Sequence, residues 1–251
     1  MPHFTNDGYE LFYREAGEGP VLVLLPGNTA SSACYAGEIE HFADRFRVVA
    51  MDFRGTGQSG RMERWPLDWW SQAADDTVAL LDHLGVEQAC LVGSSGGAAV
   101  ALMAAQRAPE RMTAVIADSC ARCSPPDLLR AEVVARSERS RDAVAFWRHA
   151  HGEDWEQVVE ADSALLLRFA EERAGEWFDE SLSTITAPVL ITASLQDEVL
   201  ADVEAQIAGM LQEIPDARAW LVNSGGHPMM WSRRAEFRMA ADAFLAAHTQ
   251  Q

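Results

Sequence analysis

The sequence contains no lysine, and all 20 of its basic residues are arginine. A lysine amine forms Schiff bases with carbonyl substrates, attaches pyridoxal phosphate, and acts as the base in a Ser-Lys pair. The absence of lysine therefore excludes these three kinds of chemistry.

Basic residues are also few relative to acidic ones, which gives a formal net charge of -18. Such a charge repels phosphate backbones and anionic lipids, so we expect neither nucleic acid nor membrane as a partner. Long apolar runs are missing too: Val21 to Leu25 is too short to cross a bilayer and lacks the flanks of a signal peptide. We expect a soluble, cytoplasmic protein that binds a small molecule; the sequence does not indicate its oligomeric state.

Cysteine is scarce, with four residues in the whole chain. Four scattered cysteines are too few to form the disulfide framework of a chain this long. Cys120 and Cys123 have the spacing of a redox or zinc pair, but no second pair completes a tetrahedral site. We therefore expect ordinary thiols and no bound metal.

The 251 residues, 48% of them apolar, are sufficient for one large core. Short β-like runs alternate with longer helical ones, which predicts an α/β fold with a mostly parallel sheet and helices on both faces. Residues 122–183 differ, because they are charged and aromatic with helical spacing and no convincing strand. The prediction is a core formed by 1–121 and 184–251, with a helical cap inserted at 122–183.

Individual elements follow from the same patterns. One helix is predicted from the glycine-rich turn after Val92 to Gln106, where Pro109 stops it. The other predicted helices are Trp69–Leu84, Leu128–Arg141, Arg141–His149, Trp155–Arg173, Val199–Leu211 and Arg233–Ala247. The predicted strands are Glu10–Arg14, Val21–Leu25, Arg47–Met51, Ala89–Val92, Met112–Ala117, Pro188–Thr192 and Ala217–Val222.

Gly93-Ser94-Ser95-Gly96-Gly97 lies between a predicted strand and a predicted helix. This is the context of a G-x-S-x-G nucleophile elbow, in which glycines on both sides permit a very sharp turn. Ser95 has glycine two residues before and after it, whereas Ser94 does not. A phosphate-binding glycine loop is the alternative, but it needs a lysine or a longer glycine pattern.

A serine nucleophile requires a base, and a histidine base requires a carboxylate that orients it. His227 follows the last predicted strand in a glycine turn, and Asp197 follows the strand before it, which gives the chain order Ser, Asp, His. Asp118, at the end of another predicted strand, is the alternative acid.

The oxyanion that forms during acyl transfer needs two backbone N–H donors. The residue after the nucleophile, Gly96, supplies one, and Asn28 in the loop after an early strand is predicted to supply the other. Asp52 and Arg54 are assigned to a structural turn, because ion pairs commonly have structural roles.

These motifs resemble those of the α/β-hydrolase superfamily over nearly the whole chain, and the cap and the Leu-Leu-Pro-Gly segment are similar to the biphenyl-hydrolase-like (valacyclovir-hydrolase-like) esterases. The resemblance implies the α/β-hydrolase fold and a cofactor-free serine hydrolase. The motifs that carry it are Asn6-Asp7-Gly8, Pro26-Gly27-Asn28, Asp52 to Ser59, the elbow at Ser95, Asp197 and Gly226-His227.

The expected reaction is hydrolysis of a small apolar ester or lactone through an acyl-enzyme on Ser95. The valacyclovir-hydrolase-like enzymes have an acid after the nucleophile, where this chain has Gly96, so the pocket is expected to favour neutral acyl groups over α-amino acyl groups. Two alternatives remain open, because a fold alone does not decide function. They are a ligand-sensing receptor with little turnover, and a cofactor-free oxygenase that uses the His-Asp pair as base.

Overall fold

The computed structural model describes residues 2–249, and these residues form one eight-stranded sheet with helices on both faces. The strands are β1 His3–Asn6, β2 Tyr9–Ala16, β3 Val21–Leu25, β4 Arg47–Met51, β5 Ala89–Ser94, β6 Met112–Asp118, β7 Val189–Ser194 and β8 Ala217–Val222. The helices are α1 Ala36–Phe42, α2 Trp69–His83, α3 Gly96–Arg107, α4 Pro126–Ser137, α5 Arg141–His151, α6 Trp155–Glu172, α7 Val203–Glu213, α8 Met229–Ser232 and α9 Arg234–His248.

The strand order is β1-β2-β4-β3-β5-β6-β7-β8. β1 and β2 pair antiparallel, β2 also runs antiparallel to β4, and all the later pairs are parallel. The predicted α/β fold is therefore confirmed. β1 escaped prediction because its four residues are mostly polar and exposed and contain no apolar run.

The central strand β3 shows why both faces of the sheet are covered. All five of its residues are buried, and successive side chains point to opposite faces. Val23 packs in the large cluster that contains residues of α2 and α3, whereas Leu22 packs with Phe42 of α1 and Phe237 of α9. The sheet is thus the middle layer of three.

Most predicted elements are present, with shifted ends. β5 and β7 extend two residues further than predicted, and these extensions bring their last residues to the edge where the loops lie. Helix α7 begins at Val203 rather than Val199, because the Val199 N–H donates to the Asp197 carboxylate at 3.0 Å and Asp202 adopts a left-handed conformation. The short helices α1 and α8 were not predicted.

Three helices, α4, α5 and α6, lie between β6 and β7, within the segment predicted as a cap. Their attachment to the rest of the molecule is polar at several points, including the bond from the Ser31 hydroxyl to the Ala150 carbonyl at 2.7 Å. Val158, Leu165 and Phe169 of α6 also join the main core. The division into core and cap domains at 122–183 stays a prediction.

Within residues 2–249, no helix combines the length and the apolar character needed to cross a membrane.

Candidate active site

The elbow between β5 and α3 holds Ser95 in a backbone conformation that side chains rarely adopt, with φ 54° and ψ -126°. The turn is so tight that a Cβ added to Gly93 would lie 2.1 Å from the Gly97 carbonyl oxygen. Glycine is therefore required there, as the motif predicted. A strained serine at the end of a central strand presents its hydroxyl above the edge of the sheet.

His227 and Asp197 meet at the same edge. Nδ1 of His227 lies 3.0 and 2.9 Å from the two oxygens of the Asp197 carboxylate. The Asp197 side chain is fully buried and that of His227 is 12% exposed. The backbone N–H of His227 donates to the Glu198 carboxylate at 3.2 Å, which fixes the loop as well as the ring. With Nδ1 occupied by Asp197, Nε2 is the ring nitrogen left to accept a proton.

The surroundings of His227 favour its protonated form. Burial alone would lower the pKa of this imidazole, but the hydrogen bond and charge of Asp197, together with the charges of Asp118 and Glu132, raise it overall. A base stabilised after it has accepted a proton is what a serine nucleophile requires.

Asp118, the alternative acid, makes different contacts. Its carboxylate accepts hydrogen bonds from the Thr192 hydroxyl at 2.6 Å and the Met230 N–H at 2.9 Å. Burial raises the pKa of Asp118 to about 7. Because Asp197 rather than Asp118 contacts the imidazole, the geometry favours Asp197 as the orienting carboxylate.

The two residues predicted to hold an oxyanion, Asn28 and Gly96, line one cavity together with Ser95. The Asn28 side-chain oxygen accepts from the Trp70 indole N–H at 3.0 Å. A Cβ added to Gly96 would lie 2.1 Å from that same oxygen. The amide of Asn28 thus fills the space that a side chain after the nucleophile would need, which the sequence did not reveal.

The cavity at Ser95 is small, with a volume of about 30 Å³. Its walls are largely apolar, and Trp177 is the aromatic side chain that residues 122–183 contribute to them. Glu132 of α4 also lines it, so one carboxylate reaches the cavity although Gly96 supplies none. The lining residues further include Cys120, whose pKa is raised to about 12 by burial and by Asp118, so that this thiol is a poor nucleophile.

A second cavity, of about 320 Å³, lies on the other side of Trp177. Trp70, Phe169 and Phe178 also line it. The Trp177 indole N–H donates to the Ser124 hydroxyl at 3.0 Å, which holds the ring between the two cavities.

The described residues contain no group of three or more His, Cys, Asp or Glu side chains arranged to hold a metal ion. All four cysteines are free.

Asp52 and Arg54 have the structural contacts expected of them: Asp52 accepts the backbone N–H groups of Ser32 and Gln58, and Arg54 forms two hydrogen bonds of 2.6 Å to Asp76.

His151 was missed from the sequence, where it reads as one more polar residue at a helix end. It is buried, its Nδ1 accepts the Gly57 N–H at 3.0 Å, and its Nε2 donates to the Thr29 carbonyl at 2.9 Å. Since Thr29 follows Asn28, His151 connects the end of α5 to the predicted oxyanion loop. Only the folded chain brings together residues so far apart in sequence.

The neutral state of His151 makes stability depend on pH. Burial lowers the pKa of this imidazole from 6.5 to about 4, so the unfolded chain takes up its proton first as the pH falls. We expect the difference in unfolding free energy between wild type and His151→Gln to have its largest value above pH 6.5. It should shrink by about 3 kcal/mol as the pH falls to about 4.

Urea unfolding at several pH values measures this difference. Ser31→Ala is the matched control, because it removes a hydrogen bond at the same contact without removing a titrating group. Its effect should be the same across the range, and a His151→Gln effect equally independent of pH would contradict the assignment.

A comparison with known protein families identifies the class of protein to which this fold belongs. The family profile described as the alpha/beta hydrolase fold matches residues 20–172, which is more than half of the chain. The chain therefore belongs to the α/β-hydrolase family.

Individual relatives are similar over almost the whole length. The chain is 27% identical over 270 residues to "Putative carbamate hydrolase RutD" of Caulobacter sp., covering 98% of each protein. It is 28% identical over 254 residues to serine hydrolase BPHL of Mus musculus, covering 95% of this chain and 84% of that protein. The enol-lactonase from Burkholderia xenovorans superposes with a TM-score of 0.79 at 22% identity, covering 98% of this chain and all of that one.

Proposed function

We propose that this α/β-hydrolase cleaves small carboxylic esters or lactones through an acyl-enzyme on Ser95. The observation that carries the proposal is the buried contact between His227 Nδ1 and the Asp197 carboxylate, at the edge of the sheet where the elbow presents Ser95. A base held in one orientation at the edge of the sheet where a strained serine ends a strand is the arrangement that nucleophilic acyl transfer requires.

The reaction has two halves. The Ser95 oxygen attacks the substrate carbonyl while His227 Nε2 takes its proton, and the N–H groups of Asn28 and Gly96 bind the oxyanion. The imidazolium then protonates the departing alcohol oxygen. Water, deprotonated by the same nitrogen, attacks the acyl-enzyme, releases the carboxylic acid and returns the proton to Ser95. The steps call for no metal or organic cofactor.

The lining of the cavity supports an apolar substrate. The walls include Ala99, Leu129, Leu166 and Val199, which suit the apolar part of an ester or lactone. The names of the relatives, a carbamate hydrolase and a serine hydrolase, also point to acyl chemistry on small molecules.

Fluorophosphonate labelling with peptide mass spectrometry tests the nucleophile, and a panel of esters and lactones tests turnover. We expect the label on Ser95 and turnover that stops when the label is attached. A label on another residue would overturn the nucleophile assignment. Labelling without turnover of any panel member would favour the ligand-sensing alternative, and oxygen-dependent turnover in Ser95→Ala would favour the oxygenase.

Gly96 offers a separate test of the oxyanion site. We expect Gly96→Ala to lower kcat for ester hydrolysis by about tenfold or more, because its Cβ would lie 2.1 Å from the Asn28 side-chain oxygen, which must move and give up its hydrogen bond to Trp70. Steady-state kinetics measures the loss.

The matched control for that substitution is Gly209→Ala in the middle of α7, where nothing lies within 4 Å of an added Cβ. This variant should keep wild-type kcat and gain about 1 kcal/mol of stability, since alanine is the better helix former. Wild-type kcat in Gly96→Ala would show that the Asn28 side chain can move without disturbing the proposed oxyanion site.

A further inference from the structure

The turn that carries Asn28 has an unusual backbone conformation. The Ala30 N–H donates to the Gly27 carbonyl at 3.1 Å, which closes a four-residue turn with Asn28 and Thr29 at its centre. Thr29 has φ 55°, in the left-handed region that the third residue of a type II turn occupies. Glycine or asparagine is usual there, because a β-branched side chain is strained at positive φ. Thr29 therefore keeps this conformation only if its surroundings hold it.

The buried imidazole of His151 is bonded to this strained residue. Its Nε2 lies 2.9 Å from the Thr29 carbonyl oxygen, and its Nδ1 lies 3.0 Å from the backbone nitrogen of Gly57. A backbone N–H can only donate, so Nδ1 is the acceptor and Nε2 carries the proton. The bond from Gly57 thus sets the tautomer that the bond to Thr29 requires.

The two loops that His151 joins are also tied to each other by a second group. The buried carboxylate of Asp52 accepts the Ser32 N–H at 2.6 Å and the Gln58 N–H at 2.7 Å. These bonds fix both loops near the residues that His151 contacts, but not at those residues. The imidazole therefore has a firm support on one side and the strained turn on the other.

Attachment of α5 to the rest of the molecule does not account for His151. The Ser31 hydroxyl donates to the Ala150 carbonyl at 2.7 Å, and Nε2 of His149 lies 3.1 Å from the Ala33 carbonyl oxygen. These two contacts already join the end of the helix to the loop after β3. A buried ring that bonds the strained residue of the turn adds a constraint that attachment alone does not need.

From these contacts we infer that His151 is a positioning residue for the oxyanion site. By holding the Thr29 carbonyl, it keeps the turn in its strained conformation, and the N–H of Asn28, one residue earlier, stays where the oxyanion forms beside Ser95. The inference rests on the proposed ester hydrolysis and deepens it. The oxyanion site then depends on α5 as well as on the loop that carries it.

Two amide side chains separate the two hydrogen bonds of His151. In His151→Gln the amide reaches the place of Nε2 and still donates to Thr29, whereas in His151→Asn it reaches only the place of Nδ1 and accepts from Gly57. Each variant loses one hydrogen bond, so we expect similar losses of stability. We expect kcat for ester hydrolysis to fall by about tenfold or more in His151→Asn and to stay within about threefold of wild type in His151→Gln, with KM nearly unchanged in both.

The measurements are chosen to exclude a merely structural effect. Rates are expressed per Ser95 that a fluorophosphonate labels at saturation, so that unfolded molecules do not count. Affinity for a trifluoromethyl ketone, which forms a tetrahedral oxyanion on a serine, should fall by the same factor as kcat. Ser31→Ala is the matched control, because it removes a buried bond between the same loop and α5 without touching Thr29, and it should keep kcat within about threefold of wild type.

Thr29→Gly tests the role of the strain. Glycine adopts φ 55° readily, so a turn with glycine at position 29 no longer needs His151 to hold it. In the His151→Asn background, Thr29→Gly should therefore raise kcat by about threefold or more.

Equal kcat in His151→Asn and His151→Gln would overturn the inference. So would a loss that appears in KM rather than in kcat, an equal loss in Ser31→Ala, or no recovery on adding Thr29→Gly. In each of these cases Ser95-dependent ester hydrolysis by the wild type leaves the proposed function standing. Absence of that hydrolysis in the wild type would instead remove the proposed function, and the inference with it.

Discussion

Ser95→Ala should lower kcat for ester hydrolysis by at least about a thousandfold and leave thermal unfolding nearly unchanged. The substitution removes the attacking oxygen but almost no packing, and no described hydrogen bond depends on this hydroxyl. Alanine also fits the backbone that Ser95 already adopts at φ 54° as well as serine does. Retention of more than about a tenth of wild-type kcat would be incompatible with an acyl-enzyme on Ser95.

Ser94→Ala is the control that lies one residue away, and it should give the opposite pattern. Ser94 is buried, and its hydroxyl shares a hydrogen bond with the hydroxyl of Tyr35. Its loss should cost about 1 kcal/mol of stability, because the buried Tyr35 hydroxyl loses this partner, while kcat changes little. Equal losses of activity at the two positions would mean that the elbow is assigned to the wrong serine.

Asp197→Asn is expected to lower kcat by about 10⁴-fold, far more than Asp118→Asn. An asparagine at 197 preserves the shape of the contact at 2.9 Å, but it favours the wrong imidazole tautomer and cannot stabilise the imidazolium. Asp118 accepts hydrogen bonds from the Thr192 hydroxyl and the Met230 N–H, so asparagine there should mainly reduce stability. We expect kcat of Asp118→Asn to stay within about tenfold of wild type.

Both asparagine variants are compared with wild type by steady-state kinetics and thermal unfolding under one set of conditions. The reverse ranking of kcat would assign the orienting carboxylate to Asp118. Equal and large losses in both would indicate that the two buried carboxylates act together on His227, whose pKa both of them raise.

The predicted triad residues could be located from the sequence because each lies in the loop after a strand: Ser95 directly follows β5, Asp197 lies three residues after β7, and His227 lies five residues after β8. In a parallel sheet the carboxyl ends of neighbouring strands meet at one edge, and the pairing of Ser94 with Asp118 and of Asp118 with Thr192 realises this. The turn residues after each strand therefore identify candidates without knowledge of the helices.

Other features of the site depend on which side chains pack together in the folded chain, and no local sequence pattern encodes that packing. The space beside Gly96 is filled by Asn28, 68 positions earlier in the chain, and Glu132 reaches the cavity only through the way α4 packs on α6. In the sequence, the glycine indicates only that the residue after the nucleophile supplies no acid. Helix α4 brings Glu132 to the cavity from another direction.

Trp177 has a consequence for how this enzyme's substrate range could diverge. One indole ring separates the cavity of about 30 Å³ at Ser95 from the cavity of about 320 Å³ beyond it. Because Trp177 lines both cavities, we expect its replacement by a small side chain to join them into a single channel without altering the predicted triad. Under the proposed ester hydrolysis, one codon change would then admit longer substrates, so that selection for bulkier esters would have a short mutational path.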